Sequence, residues 1–374
     1  MHDAGYVYGD SPVASEESLI RAQALVSDGA LMPVYGKGCW SMTGSLDELR
    51  SMPKVELHVH LGGTITVETA SDLARRHHLD PAQVLRLVDG QYPTTYSDFP
   101  DFLDTFLASN SLVRTPDDLY LVAERFAHQQ AEERIVWSEV LFTAMIYVRN
   151  GMEPRAMWEA LTAGLQEGGD DTRIGVVVDV FRDHGREEAE ATIRLVESAE
   201  APIVGLGLTG IEDTVPTSDF AVLTEACDAF GFGLEVHAGE MGPPSSVTDA
   251  LDVLSADRIG HGVAADRDPE LVARLVRDHV PLDICPTSNV AILEEYSSLE
   301  DHPVARFWSV GVNLSVSSDD PPFFGTTLTE ELQGVARVTA LSIEDLMELQ
   351  QRAVRNAFAS DATKDWCSKQ IENW

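Results

Sequence analysis

Short apolar runs of strand length recur along the chain, each bounded by turn residues. Eight runs, rich in β-branched residues, lie at residues 55–61, 135–143, 174–181, 203–209, 233–237, 258–261, 281–285 and 312–317. Stretches with helical periodicity and charged faces separate them, for example residues 117–133, 186–198, 219–230, 269–279 and 304–309. Because strands alternate with helices, the pattern predicts a (β/α)8 (TIM) barrel and not two separate domains.

The segment between the first two predicted strands, residues 62–134, is much longer than the other connections. We expect it to form an extra helical insertion over the mouth of the barrel. Phe99, Phe102 and Phe106 within it fit either a pocket cap or amphipathic core packing, and the pattern favours packing. Residues 329–339 and 343–359 predict two closing helices. Residues 51–374 are expected to form a single barrel domain, preceded by an amino-terminal extension at residues 1–50.

Acidic residues dominate the charge, with 62 Asp and Glu against 26 Lys and Arg and a formal net charge of −36 over 374 residues. This balance repels phosphate backbones and anionic lipid, which argues against nucleic-acid and membrane partners. The four cysteines lie far apart, so they predict neither a zinc ribbon nor a disulfide framework. The chain begins without a signal-peptide pattern, and no apolar run approaches the ~18 residues of a membrane span. We therefore expect a cytoplasmic protein.

His58 and His60 alternate within the first predicted strand. Residues i and i+2 of a strand project from the same face, here into the barrel, so the two imidazoles would form half of a metal site. A buried histidine on its own is more often an ordinary core residue. Support for a site therefore has to come from elsewhere in the chain.

Polar motifs stand at the ends of three later strands. His237 and Glu240 lie in HAGE after the fifth strand, His261 lies in GHG after the sixth, and Asp319 and Asp320 lie in SSDDP after the eighth. Each motif alone is explained by a turn or a helix cap. In a (β/α)8 barrel, however, the C-terminal ends of the strands build the active site, so these groups are expected to converge.

These motifs resemble those of the adenosine deaminase family of metal-dependent aminohydrolases. The similar segments are VELHVHLGGT, GLGLTG, HAGE, RIGHG, CPTSN and SSDDPPFFGTTLTEE. They follow the order and spacing of the family from about Lys54 to Glu331. The resemblance implies a barrel with one Zn²⁺ per chain. It also implies that a small purine is the partner, and that water releases ammonia from a 6-aminopurine nucleoside or a related compound.

Carried over by motif, the implied metal ligands are His58, His60, His237 and Asp319. This set leaves an open position for water, as a catalytic zinc site requires. The resemblance further implies that His261 orients this water and takes or shuttles its proton, while Asp319 accepts a hydrogen bond from it.

The resemblance also implies three contacts with the purine. Protonated Glu240 would act as general acid by donating to ring N1, which makes C6 electrophilic. Asp320 would hydrogen-bond N7. The backbone N–H of Gly210 would meet N3, where glycine allows the close approach of backbone to a ligand.

Gly62 departs from the family pattern, because adenosine-specific members usually carry an Asp where this chain reads HLGG. That Asp resembles an anchor for the 5′-hydroxyl, so Gly62 is expected to open room for a bulkier 5′ substituent. Glu139 is followed by Val-Leu-Phe, where the family tends to place an arginine. Adenine, 6-aminodeoxyfutalosine, N6-substituted adenine nucleosides or nucleotides and an antibiotic-pathway nucleoside therefore stay open as substrates.

Other classes of protein compete with this interpretation. A binuclear amidohydrolase commonly uses a carboxylated lysine from a middle strand, and the fourth strand, PIVGLGLTG, contains no lysine. The cytidine-type zinc deaminases need H-x-E with P-C-x-x-C, and neither pattern is present. A catalytically inactive binding relative would have lost Glu240, His261 or a metal ligand, and all of these are present. The sequence makes no prediction of the oligomeric state.

Overall fold

The computed structural model describes residues 46–374 and contains a barrel of eight parallel strands paired in chain order. The strands are β1 (Lys54–His60), β2 (Ile135–Phe142), β3 (Arg173–Phe181), β4 (Ile203–Thr209), β5 (Gly233–Ala238), β6 (Arg258–His261), β7 (Pro281–Ile284) and β8 (Asn313–Val316). The predicted TIM barrel is confirmed. Residues 1–45, which hold most of the predicted amino-terminal extension, lie outside the described residues.

Two backbone hydrogen bonds join β1 to the segment that follows β8 and so close the barrel. The N–H of His60 donates to the carbonyl of Asp319 (3.0 Å), and the N–H of Asp319 donates to the carbonyl of His58 (3.1 Å). The seam of the barrel therefore fixes the backbones of three predicted site residues relative to one another.

Helices cover the outside of the barrel, which buries both faces of the strands and explains their near-continuous apolar sequences. The helices are α1 (Leu46–Ser51), α2 (Val67–Arg76), α3 (Pro81–Val84), α4 (Phe99–Asn110), α5 (Pro116–Glu132), α6 (Ala144–Arg149), α7 (Pro154–Leu165), α8 (Gly185–Val196), α9 (Ala221–Phe230), α10 (Pro244–Asp252), α11 (Pro269–Arg277), α12 (Pro286–Ile292), α13 (Val304–Val310), α14 (Pro321–Phe324), α15 (Leu328–Thr339), α16 (Ile343–Asn356) and α17 (Asp361–Glu372). None of these helices has the length and apolar character needed to cross a membrane.

The long connection after β1 forms helices α2 to α5, so the predicted helical insertion is confirmed. Helix α5 begins with a capping box, in which Thr115 and Asp118 exchange side-chain and backbone hydrogen bonds. Phe102 packs against Phe324 with ring centroids 5.2 Å apart, and Phe106 lies 5.9 Å from Phe323. Phe102 and Phe106 also line the cavity described below, so the two roles weighed from the sequence coincide.

The carboxy-terminal end departs from the prediction. The helix expected over residues 343–359 ends at Asn356, and α17 follows it although the sequence pattern did not predict it. The chain leaves the helical path where the Phe358 ring covers the buried guanidinium of Arg258 at 4.1 Å. Ser360 then caps α17 by accepting a hydrogen bond from the N–H of Thr363.

Candidate active site

A cavity of about 240 Å³ opens at the C-terminal ends of the strands. Its inner part is lined by Gly210 and by six polar residues: His60, His237, Glu240, His261, Asp319 and Asp320. Its outer part is lined mainly by apolar side chains from the insertion and from neighbouring loops: Phe99, Phe102, Leu103, Phe106, Leu107, Ile146, Phe181 and Ile292. The cavity therefore offers a polar base and an aromatic wall, which is the usual composition of a small-molecule site.

Three histidines and one aspartate converge at the base of the cavity. His60 Nε2 lies 3.2 Å from His237 Nε2 and 3.4 Å from Asp319 Oδ1, and His58 Nε2 lies 3.6 Å from the same carboxylate oxygen. The ring centroids of His58 and His237 are 4.5 Å apart. The structure thus brings together the four residues to which the resemblance assigns the metal.

These four residues fit a metal ion. His58 Nε2 is buried and has no hydrogen-bond partner among the described residues. The opposite ring nitrogen of His58 hydrogen-bonds Glu235, and that of His60 faces Asp179 Oδ2 at 3.4 Å. Histidine ligands of metals usually donate a hydrogen bond from their other ring nitrogen to a carboxylate. The same arrangement here leaves both Nε2 atoms facing the Asp319 carboxylate. Imidazole and carboxylate are donors that suit zinc.

His58 belongs to two groups of possible ligand atoms that lie within 4.8 Å of one another, one with His237 and His261 and one with Cys285 and Asp319. A third group comprises Glu240, His261 and Asp319. Each pair of groups shares one residue, so the three groups adjoin one another.

The Asp319 carboxylate is held from behind by Ser288, whose Oγ donates to Oδ2 at 2.6 Å. Asp319 and His261 both have left-handed backbones, each with φ of 63°. This region is uncommon for residues other than glycine, and such strain concentrates at functional sites. Both side chains are thereby turned from the strand ends into the cavity.

Glu240 stands beside His261, with Oε1 3.7 Å from His261 Nε2. Burial, together with the charges of Asp319 and Glu212, raises the pKa of Glu240 well above its usual value. A carboxyl that stays protonated near neutral pH can donate a proton or a hydrogen bond to a bound base.

The loop that carries Glu240 folds around the carboxylate of Glu212. Gly239 N–H donates to Oε2 at 2.7 Å, and the N–H groups of Glu240, Met241 and Gly242 donate to Oε1 at 2.8, 3.0 and 3.1 Å. Four backbone donors on one carboxylate restrain the position of this loop.

Asp320 lies over Gly63, where a Cβ would come within 1.8 Å of the Asp320 Oδ1 atom. Only glycine therefore fits beneath this carboxyl group. Burial and the neighbouring Asp319 raise the pKa of Asp320 well above its usual value, which favours its protonated form. Gly210 lines the same cavity with φ of 97°, a conformation that glycine adopts without strain.

With this geometry established, comparison with known proteins decides the family. Residues 53–374 match the sequence profile of the family described as adenosine deaminase. The chain belongs to the adenosine deaminase family. It is therefore an aminohydrolase, an enzyme that hydrolyses carbon–nitrogen bonds.

The proteins similar to this chain are named for different substrates. The chain is 33% identical to the aminodeoxyfutalosine deaminase of Streptomyces avermitilis, over 87% of this chain and 92% of that one. It is 30% identical to the adenine deaminase of Acinetobacter baylyi, over 87% and 96% respectively. The crystal structure of the adenine deaminase of Arthrobacter aurescens is similar with a TM-score of 0.77 and 28% identity, over 87% and 99%. These similarities support the deamination of a purine compound.

Gly62 requires a correction to the expectation drawn from the family pattern. A Cβ at this position would lie 2.3 Å from the Oδ1 of Asn110, whose Nδ2 donates to the Gly62 carbonyl at 3.2 Å. Asn110 itself is within 3.4 Å of the Tyr147 hydroxyl. The space that an Asp side chain would take is therefore filled by Asn110, and Gly62 does not open room there.

Arg149, at the end of α6, is a cavity residue that the sequence pattern did not single out. Its guanidinium pairs with Glu188, and 39% of its side chain stays exposed. His184 lines the cavity as well. The family resemblance directed attention to an arginine inside β2, whereas the cation that reaches this cavity comes seven residues after Phe142.

Three supporting residues also escaped the sequence reasoning, namely Asp179, Glu212 and Glu235, and Asn289 was given no role although it stands in the CPTSN motif. A signal existed for two of them, because Asp179 and Glu235 interrupt apolar strands and a buried carboxylate needs a partner. Glu235 stands two residues before His237, on the same strand face. Glu212 and Asn289 lie in loop and helix segments whose contacts depend on the tertiary fold.

Proposed function

We propose that this enzyme hydrolyses the 6-amino group of an adenosine-type nucleoside whose 5′ end carries an apolar, anionic extension, with 6-aminodeoxyfutalosine as the substrate. The observation that carries the proposal is the outer cavity, where an aromatic wall faces Arg149. An aryl carboxylate at the 5′ end would pack on Phe102 and Phe106 and pair with the guanidinium of Arg149. The first relative named above bears this activity in its name.

In this proposal, one Zn²⁺ would be held at the base of the cavity by His58, His60, His237 and Asp319. When bound, this ion supplies a water molecule whose pKa falls from 15.7 to about 7. Asp319 and His261 orient that water toward C6 of the purine ring.

The remaining residues bind the purine and move its protons. Protonated Glu240 donates to N1, which draws electrons from C6. Asp320 in its protonated form donates to N7, and the N–H of Gly210 meets N3. The pKa directions of both carboxyl groups support these donor roles. Loss of ammonia from the tetrahedral carbon leaves a 6-oxopurine.

Adenine is the second candidate. Asn110 fills the place of the family's 5′-hydroxyl anchor at Gly62, so no carboxylate stands there to hold a ribose. The adenine deaminase relatives support this alternative.

Ammonia release from a panel of substrates tests the proposal. Zinc-loaded protein is given 6-aminodeoxyfutalosine, adenine, adenosine, 2′-deoxyadenosine, AMP and N6-methyl-AMP. We expect the highest kcat/KM for 6-aminodeoxyfutalosine. A higher value for adenine would replace the first proposal with the second, and turnover of none of these compounds would overturn both.

The Arg149→Gln variant tests the anionic contact separately. The KM for 6-aminodeoxyfutalosine should rise by about 10-fold or more, since a hydrogen bond to a charged group contributes ~1.5–3 kcal/mol. Turnover of adenine, which has no anionic group, should not change. Arg155→Gln is the matched control, because Arg155 pairs with Glu159 on the exposed face of α7. Equal effects on both substrates would remove Arg149 from the proposed contact.

A further inference from the structure

A chain of hydrogen bonds runs behind His261, on the side away from the cavity. It passes from the backbone of Val304 through His302 and Asn289 to the imidazole of His261. The side chains of His302 and Asn289 are buried, with 3% and 0% of their surfaces exposed, and neither residue lines the cavity. Neither therefore has an evident role in binding the substrate.

The direction of every hydrogen bond in this series follows from the bond donated by the backbone N–H of Val304. The backbone N–H of Val304 can only donate, so His302 Nδ1, 3.1 Å away, must accept. Burial lowers the pKa of His302 to about 3, so the ring is neutral and carries its hydrogen on Nε2. That Nε2–H donates to Asn289 Oδ1 at 3.2 Å. The Asn289 amide is thereby oriented, and its Nδ2–H group points to His261 Nδ1 at 3.1 Å.

We propose that Asn289 and His302 are positioning residues that hold His261 in the tautomer with hydrogen on Nε2. Nδ1 of His261 is occupied as an acceptor by the Asn289 amide, so the hydrogen of the neutral ring faces the cavity. His261 then donates a hydrogen bond to the attacking water and does not remove its proton. This inference rests on the proposed function and revises the proton-shuttle role that the family resemblance implies.

The proton of the water needs another acceptor under this assignment. Glu240 becomes a carboxylate once it has given its proton to N1, and it lies 3.7 Å from His261 Nε2. It can therefore take one proton from the water and pass it to the departing amino group, which leaves as ammonia. As the C6–O group becomes a carbonyl, the second proton of the water returns to the Glu240 carboxylate and restores the starting carboxyl group. The balance closes without a base at position 261.

Nitrogen-15 NMR of histidine-labelled, zinc-loaded protein measures the tautomer without any substrate. We expect the His261 resonances to show a hydrogen-bearing Nε2 and a bare Nδ1, with the assignment made by comparison with a His261→Gln sample. A bare Nε2 in the wild-type protein would overturn the proposal. Since the readout needs no turnover, failure of every purine in the panel would reject the proposed function and leave this result standing.

Asn289→Asp is the decisive variant, because it keeps the shape of the side chain and replaces the donor with an acceptor. His261 Nδ1 should then acquire a hydrogen in the NMR spectrum. We expect kcat to fall by about 10- to 100-fold, in line with the loss of an oriented donor at the reacting centre, with KM nearly unchanged and the zinc retained. An unchanged tautomer and an unchanged kcat would together overturn the proposal.

His302 provides a second, independent test. His302→Gln keeps a donor toward Asn289 Oδ1 and should retain most of the wild-type kcat. His302→Leu removes this donor and should lower kcat about as much as Asn289→Asp does. Equal activity of the two variants would contradict the proposal. Asn313→Asp is the matched control, because Asn313 bonds Asn356 at the opposite end of the barrel and should leave both tautomer and kcat unchanged.

Discussion

The two ends of the barrel interior differ in whether their buried ionisable groups have hydrogen-bond partners. In the amino-terminal half, the guanidinium of Arg258 donates to Glu139 and Glu235, both at 2.6 Å, and all three side chains are fully buried. At the C-terminal mouth, His58 Nε2 and Asp320 Oδ1 are buried without a hydrogen-bond partner among the described residues. The lower carboxylates neutralise a buried cation, whereas the atoms without a partner belong to residues of the proposed metal and purine sites. The pairing of buried ionisable groups therefore differs between the two ends of the barrel.

Glu235 belongs to both halves. One carboxylate oxygen accepts from Arg258 and the other hydrogen-bonds His58 Nδ1. The cluster of Arg258, Glu139 and Glu235 therefore also orients the ring of His58, a proposed metal ligand. The contributions of the two halves can be told apart only with variants that change one half and leave the other intact.

The largest expected effect is at the mouth. His58→Ala should lose the bound metal and with it all measurable deamination, because the three remaining ligands would bind the metal too weakly. Metal content by elemental analysis and ammonia release measure the two losses together. His128→Ala, on the exposed face of α5, is the control. A fully metallated and active His58→Ala enzyme would remove His58 from the ligand set.

Glu240→Gln should retain the metal and lower kcat by about 10²- to 10⁴-fold, since the amide cannot supply the proton of a general acid. Steady-state kinetics with the preferred purine measure the change, and circular dichroism checks the fold. Turnover at the wild-type rate would show that Glu240 is not the acid.

Arg258→Met addresses the lower half. It leaves Glu139 and Glu235 buried without their cation, which should lower the free energy of unfolding by about 3–5 kcal/mol. Urea unfolding of the metal-free proteins measures the difference. A loss below about 1 kcal/mol would mean that these carboxylates do not depend on Arg258, and the contrast between the two halves would fail.

Glu212→Gln tests whether the Glu212 carboxylate fixes the loop that carries Glu240. The amide keeps one acceptor oxygen for the four N–H groups of the Gly239–Gly242 loop, so Glu240 should lose its fixed position. We expect kcat to fall by about 10- to 100-fold, given ~1.5–3 kcal/mol for hydrogen bonds to a charged group. Glu212→Asp, which keeps the charge, should be less affected. Equal rates for Gln and wild type would make the loop independent of this carboxylate.

The smallest effect is expected for a pair that belongs to neither half. Arg155 and Glu159 form an exposed ion pair on α7. Arg155→Ala should change the free energy of unfolding by about 0.5 kcal/mol or less, because water screens such pairs. The same urea experiment measures it, and a loss as large as that of Arg258→Met would show that burial does not govern the difference.

The strands and the polar residues at their ends were predictable from the sequence. Each strand is a short apolar run; His58 interrupts the first run, His237 and His261 end theirs, and Asp319 follows the eighth run by two residues. The barrel topology alone then requires them to meet. The break at Phe358 was not predictable, because it depends on the Arg258 guanidinium, which lies 100 residues earlier in the chain.

Gly62 shows a second limit of the sequence. The absence of a side chain at one position does not reveal which neighbour fills the space, and here Asn110 comes from a helix 48 residues later. The contacts of Glu212 with four backbone amides leave no pattern of residue types at all. Both features become visible only when segments distant in the chain are brought together.

The hydrogen bonds behind His261 begin at a main-chain amide, and this has a consequence for how the sequence can drift. Any residue except proline supplies an N–H at position 304, so substitutions there leave the first donor in place. The constraint falls instead on positions 289 and 302, far from the substrate. A survey that scores only residues touching the ligand would treat these two as free to vary, although the proposed orientation of His261 depends on them.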